Sequence, residues 1–197
     1  MYLLTIIFTF LTLQTFTQTK MRTVNELINK EDSGWTIVKE WINKAKNKVE
    51  ILSVKSNNAK EALFKTQITT RSPMGAIIYE TGGILVDNGW IRILGSGNEK
   101  LKRTLPDWNL GKSYQNFGQQ TLFLLIADDA IGGFYLLNNG GLGKNLGKIY
   151  YFASDTLEFE PLNLSYSEFL NFCFNNNLEE FYKLKLGWDF KIFNNKY

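Results

Sequence analysis

The chain has 197 residues, 44% of them hydrophobic and 15% aromatic, with a net charge of +3. That length suits one domain and that composition buries a real core, which excludes global disorder. There is no histidine and a single cysteine, Cys173. Serine–histidine and cysteine–histidine nucleophiles, histidine-ligated zinc or iron, cysteine-based zinc sites and an intrachain disulfide are therefore excluded.

Leu3 to Leu13 reads LLTIIFTFLTL, an apolar run too short for the roughly twenty residues of a membrane-spanning helix. It fits the hydrophobic region of a secretory signal peptide, residues 1–18, with Thr15 and Thr17 as the small residues before a cut at Gln18. That reading makes the protein exported, periplasmic or secreted. The alternative is a true start at Met21 and a cytoplasmic protein. Either way the fold is expected in residues 21–197, as a single α+β domain without a membrane span.

Thr23-Val24-Asn25-Glu26 is a capping box that opens a short helix to about Asn29. Asp32 or Ser33 caps a second helix carrying Trp35, Val38 and Ile42 on one stripe. Val49 to Val54 reads as a strand and Ala59 to Thr66 as a third helix. From Met74 the pattern reads as β, with Ala76 to Tyr79 as a strand. Gly83–Val86 and Trp90–Leu94 form a hairpin around Asp87-Asn88-Gly89, whose Asn-Gly pair suits positive φ. Residues 95–120 form a long connection, a length that usually signals function or mobility. Strands follow at Leu122–Ala127, Phe134–Leu137 and Lys148–Phe152. Ser165 or Ser167 caps a helix through Phe174, another spans Leu178–Leu184, and Trp188–Phe193 forms an aromatic tail. The fold class is α+β, a central and mainly antiparallel sheet flanked by N-terminal and C-terminal helices.

Several segments carry candidate chemistry. In Thr69-Thr70-Arg71-Ser72-Pro73-Met74-Gly75, the Arg71 fork suits a carboxylate or phosphate. Glu80 precedes a glycine turn. Asp128-Asp129 ends the most hydrophobic strand, where adjacent carboxylates face opposite ways unless the chain turns. Gly95-Ser96-Gly97 lacks the lysine–serine of a phosphate loop, and Gly140-Gly141-Leu142-Gly143 lies between strands, outside a dinucleotide-binding context. The aromatic residues are not interleaved with lysines as a nucleic-acid stacking surface requires. Cys173 sits among Phe169, Leu170, Phe172 and Phe174 as a small buried hydrophobe. Charge is uneven, with ten Lys/Arg against six Asp/Glu over residues 20–65 and two against eight over 123–180.

The segments NELINKEDSGW, TTRSPMGAIIYETGGILVDNGWIRILGSG, LPDWN, IADDAIGGFYLLNNGGLG and IYYFASDTLEFEPLNLSYSEFL resemble an uncharacterised bacterial domain-of-unknown-function family over roughly residues 21–190. A more distant likeness covers about residues 122–175. Ala127-Asp128, Gly132-Gly133-Phe134-Tyr135, Gly147-Lys148-Ile149-Tyr150 and Ser165 to Leu170 are similar to the SUKH (Smi1/Knr4-like) superfamily, α+β binding modules that include toxin-immunity proteins. That resemblance implies a non-enzymatic protein-binding module with no cofactor and a protein partner. Its candidate contacts are Arg71, Met74, Glu80, Arg92, Trp108 and Asp129, with no nucleic acid expected. The alternative is a carboxylate-based hydrolase or transferase using Glu80, Asp128 and Asp129 with Arg71 and a divalent metal.

Overall fold

The computed structural model describes residues 20–186, so the apolar N-terminal segment and the aromatic tail expected at Trp188–Phe193 lie outside the described residues. Among the described residues seven strands form one sheet in chain order, every neighbouring pair antiparallel. They are β1 (Val49–Leu52), β2 (Gly83–Val86), β3 (Ile91–Leu94), β4 (Phe123–Asp129), β5 (Phe134–Asn138), β6 (Ile149–Phe152) and β7 (Phe159–Pro161). Helices α1 (Val24–Leu27) and α2 (Trp35–Asn43) precede the sheet. Between β1 and β2 lie α3 (Ser56–Thr66) and α4 (Pro73–Glu80), and α5 (Leu105–Asn109) interrupts the long connection before β4. The described residues end on α6 (Tyr166–Asn175) and α7 (Leu178–Leu186). This is the expected α+β class with a fully antiparallel sheet.

Register decides which side chains share a face. Ile84, Ile93, Ala127, Tyr135 and Tyr151 are successive cross-strand partners. This row faces the helices, because the Tyr135 ring meets Phe169 of α6 at 4.9 Å and the Tyr151 ring meets Phe181 of α7 at 5.9 Å. The core lies between, with Trp90, Phe169, Phe174 and Tyr182 almost fully buried. Cys173 is buried there too, and burial pushes its thiol well above the usual range. Among the described residues no helix is long and apolar enough to cross a membrane.

The segment 76–79 is a correction. It is not a strand but the middle of α4, whose N-cap Ser72 accepts a hydrogen bond from the Gly75 amide at 3.1 Å, with Pro73 at the first helical position. A five-residue apolar run has no readable period, because a helix covered on all sides and a buried strand look alike. The Ser-Pro pair was the deciding signal. Met74 to Ile78 are all buried, as α2, α3 and α6 pack around this central helix. Two further elements escape the sequence pattern, the five-residue α5 and the three-residue edge strand β7, each too short to show periodicity.

The hairpin forms as expected. Asp87, Asn88 and Gly89 have φ of 46°, 58° and 88°, the left-handed conformations that Asn and Gly tolerate. The capping box at Thr23 forms as well, and of the two candidate caps Ser165 is the one used, in a second capping box with Glu168. The Thr23 amide donates to Glu26 Oε2 at 2.6 Å, and the Ser165 amide to Glu168 Oε2 at 2.6 Å. These bonds, the backbone amide first in each case, hold both carboxyls below their ordinary range, Glu168 at about 2. A carboxyl lowered by folding contributes stability above its unfolded pKa and loses it as pH falls toward the folded one. Thermal denaturation from pH 5 to 2 should therefore fall less steeply in Glu168→Gln, which still caps, than in wild type. Buried Asp128, whose carboxyl is raised chiefly by desolvation, contributes with the opposite sign in both proteins and does not confuse the comparison. Parallel slopes would refute the capping assignment.

Candidate functional site

The opposite face of the sheet carries a different row. Glu50, Leu85, Arg92, Asp128, Phe134, Phe152 and Phe159 are successive partners across all seven strands. Loops cover parts of this outer face. A Cβ on Gly83 would meet Leu101 at 2.7 Å, and one on Gly143 would meet the Tyr150 hydroxyl at 2.4 Å. The remainder is divided between a charged half and an aromatic half.

In the charged half, Arg92 Nε donates to Asp128 Oδ1 at 2.5 Å, and Arg103 Nη2 reaches Asp128 Oδ2 at 2.8 Å. Asp128 is thus chelated by two arginines, its side chain 5% exposed against 31% for each arginine. Arg92 also donates through Nη2 to the Asp129 carbonyl. The Arg103 guanidinium lies 5.0 Å from the centroid of Trp108, and Lys112 Nζ lies 4.3 Å from the same ring. Helix α5 places Trp108. Its N-cap Thr104 accepts from the Asp107 amide at 3.0 Å, and Pro106 sits in its first turn. Asn109 fixes the helix to the sheet, accepting from the Leu125 amide and donating to the Leu125 carbonyl, each at 2.8 Å. Its amide continues the β4 ladder where pairing with β3 has stopped at Ala127.

In the aromatic half, the Phe134 and Phe152 rings lie 6.3 Å apart and the Phe152 and Phe159 rings 4.8 Å apart. Phe134 and Phe152 are half-buried, and Phe159 is 47% exposed on the edge strand.

The other candidates are placed elsewhere. Arg71 is exposed and pairs with Asp32 at 2.8 Å. Its neighbour Thr70 is buried and joins three segments. It donates its amide to the Leu27 carbonyl, accepts the Gly34 amide on its own carbonyl, and accepts the Asn29 amide on Oγ1. The distinctive TTRSPMG segment is therefore a joint between α1, α2 and α4. Met74 lies inside the core at 6% exposure, and Glu80 is half-buried in the last turn of α4. Asp129 is fully buried on the helix face. Its Oδ1 accepts from the Ile131 and Gly133 amides at 3.1 and 2.7 Å, and its Oδ2 accepts from the Tyr151 and Tyr182 hydroxyls at 2.8 and 3.1 Å.

Of the six predicted contacts, the structure links Arg92 and Trp108, through Asp128 and Arg103. Arg71, Met74 and Glu80 are held elsewhere by their own surroundings, and Asp129 meets Arg92 through its backbone carbonyl while its carboxylate lies on the other face. Asp128 and Asp129 point to opposite faces, as strand geometry requires, so the two do not form a carboxylate pair. Among the described residues no three His, Cys, Asp or Glu side chains cluster so as to hold a metal ion. A cavity of about 140 Å³ beside α3 and α5 is lined by Glu61, Lys65, Thr104 and Asp107. Those groups already bond one another, Lys65 with Glu61 at 2.7 Å and with Asp107 at 2.9 Å.

Sequence reasoning passed over Arg103, Lys112, Phe134, Phe152 and Phe159. The long 95–120 connection was the available signal for the first two. For Phe152 the signal was its alternation with Tyr150, and for Phe159 the nearby Pro161, a residue confined to edge strands.

An uncharacterised protein of Haemophilus influenzae is 48% identical over 163 residues, covering 83% of this chain and 72% of its own length. An uncharacterised protein of Escherichia coli K12, YbfG, is 44% identical over 163 residues, covering 83% of this chain and 74% of its own. The model of the family described as "Protein of unknown function DUF2625" matches residues 24–191, and the chain belongs to that family.

Proposed function

We propose that the domain is a non-enzymatic protein-binding module that presents the outer face of its sheet to a partner. One observation carries this reading. Phe134, Phe152 and Phe159 form a continuous aromatic ladder across three hydrogen-bonded strands, open at its edge and bordered by the Arg92–Asp128 pair. Aromatic anchors beside arginine, mounted on rigid strands, are the composition of interface hot spots. The likeness of residues 122–175 to SUKH modules supports the same reading, including a role similar to that of immunity domains, whose work is to bind another protein.

The test compares the full chain, tagged at its C-terminus, with the Phe159→Asp variant in capture from cell lysate, read by mass spectrometry. Phe159 is exposed, so the variant should keep the wild-type melting temperature. It should weaken binding of a genuine outer-face partner about thirtyfold. Identical captured sets from both proteins would overturn the proposal.

A further inference from the structure

The charged half of the outer face is electrostatically unfinished. Arg103 and Lys112 lie over Trp108, Lys112 Nζ also donating to the Trp108 carbonyl at 2.8 Å, and among the described residues Asp128 is the one carboxylate bonded to Arg92 and Arg103. Both Asp128 oxygens are engaged, one by each arginine. Arg103 holds its Nε buried without a hydrogen-bond partner, though a buried donor of this kind ordinarily has one. Arg103 and Lys112 also share one indole ring, which attracts each cation. A second anion at this corner would relieve the surplus charge. The cross-strand partner of Asp128 is Phe134, the first ring of the aromatic ladder.

Resting on the docking face proposed above, we infer that the partner contributes an acidic segment. Its carboxylate enters the corner formed by Arg92, Arg103, Lys112 and Trp108, and an adjacent apolar side chain lies on Phe134, Phe152 and Phe159. A guanidinium held by Asp128 and stacked on Trp108 is already ordered, so little side-chain freedom is lost when it receives a carboxylate. Partial desolvation strengthens such a contact relative to a fully exposed ion pair.

The experiment is selection of a displayed random dodecapeptide library on the immobilised full chain at low salt. Enriched peptides are then measured by fluorescence anisotropy against wild type, Arg103→Gln, Lys112→Gln and Phe159→Asp. Lys112 is exposed, so its variant stands even if Arg103→Gln proves unstable. Enrichment of Asp or Glu beside aromatic or aliphatic residues is expected. Binding should weaken about tenfold in Arg103→Gln, a smaller amount in Lys112→Gln, and several-fold between about 50 and 500 mM salt. Peptides without acidic bias that bind Arg103→Gln as well as wild type, yet are lost in Phe159→Asp, would overturn the acidic partner while leaving the docking face standing. Peptides indifferent to all three variants would overturn both. Phosphatidylglycerol vesicles bound more tightly than any selected peptide, with the same dependence on Arg103, would replace the acidic segment with a lipid surface.

Discussion

Asp129→Ala is expected to destabilise the fold by about 4 kcal/mol or more, enough to consume most of the stability of an ordinary domain. The carboxylate is fully buried and satisfies four donors, two backbone amides of the β4–β5 turn and the hydroxyls of Tyr151 and Tyr182. Truncation leaves three buried donors and the part-buried Ile131 amide without that acceptor, and an unsatisfied buried donor costs about 1–3 kcal/mol. Water entering the cavity recovers part of this, so the sum is not simply additive. The same carboxylate ties β4, β6 and α7 together, and Tyr182 further bonds Tyr135 at 2.7 Å and meets Trp90 edge-on at 5.2 Å. Asp129→Asn keeps the oxygen facing the amides and offers the hydroxyls a donor in place of an acceptor. Tyrosine hydroxyls can reverse to accept, so Asp129→Asn should lose about half as much. Urea denaturation followed by circular dichroism checks both. Equal stability of wild type and Asp129→Ala would show that the network contributes nothing. Gly133 belongs to this site, since a Cβ there would lie 2.2 Å from the Tyr151 hydroxyl and 2.6 Å from Asp129 Oδ2.

The second large effect is expected at Gly75. Alanine is the better helix former by about 1 kcal/mol, and Gly75 lies within α4, so propensity alone predicts stabilisation. Packing predicts the reverse. A Cβ at this position would lie 2.0 Å from the Thr69 carbonyl oxygen and 2.6 Å from its carbon. That carbonyl cannot easily withdraw, because it accepts the Ser72 amide at 3.1 Å and the Ser72 hydroxyl at 3.0 Å, the bonds that form the turn into the helix. Relief requires moving the turn away from α4, with loss of the Ser72 cap and of the Thr70 bonds to α1 and α2. The expected net loss is about 3 kcal/mol or more, the upper end for overpacking against backbone. Thermal melting of Gly75→Ala beside Ser72→Ala provides the comparison, since loss of the cap alone should cost about 1 kcal/mol. A Gly75→Ala protein as stable as wild type would refute the close packing of α4 on the turn.

Much of this architecture is legible in local chemistry. The capping box at Thr23, the cap at Ser165, the Asn-Gly hairpin, and the hydrophobic strands ending at Asp129 and Phe152 each depend on residues within a few positions of one another. A short-range hydrogen bond or a required φ is written in adjacent letters. The opposite orientation of Asp128 and Asp129 is legible for the same reason, since alternation along a strand is a local rule.

What adjacent letters do not carry is which distant residues meet. Met74 to Ile78 is apolar in every position whether it is a strand or a helix wrapped by α2, α3 and α6, and only the packing around it distinguishes the two. Arg92 was visible as a lone arginine in a strand. Its pairing with Asp128 and the approach of Arg103 over Trp108 depend on register across β3 and β4 and on the path of a loop. Asp129 read equally well as a surface contact until Tyr151 and Tyr182, 22 and 53 residues away, were seen to enclose it. The aromatic ladder depends likewise on three strands aligning Phe134, Phe152 and Phe159. The sequence alone determined the class of fold and excluded the chemistries that need histidine or paired cysteines. The tertiary structure decided which charges are buried, which are shared and which face outward, because each of those depends on long-range contacts that no local pattern encodes.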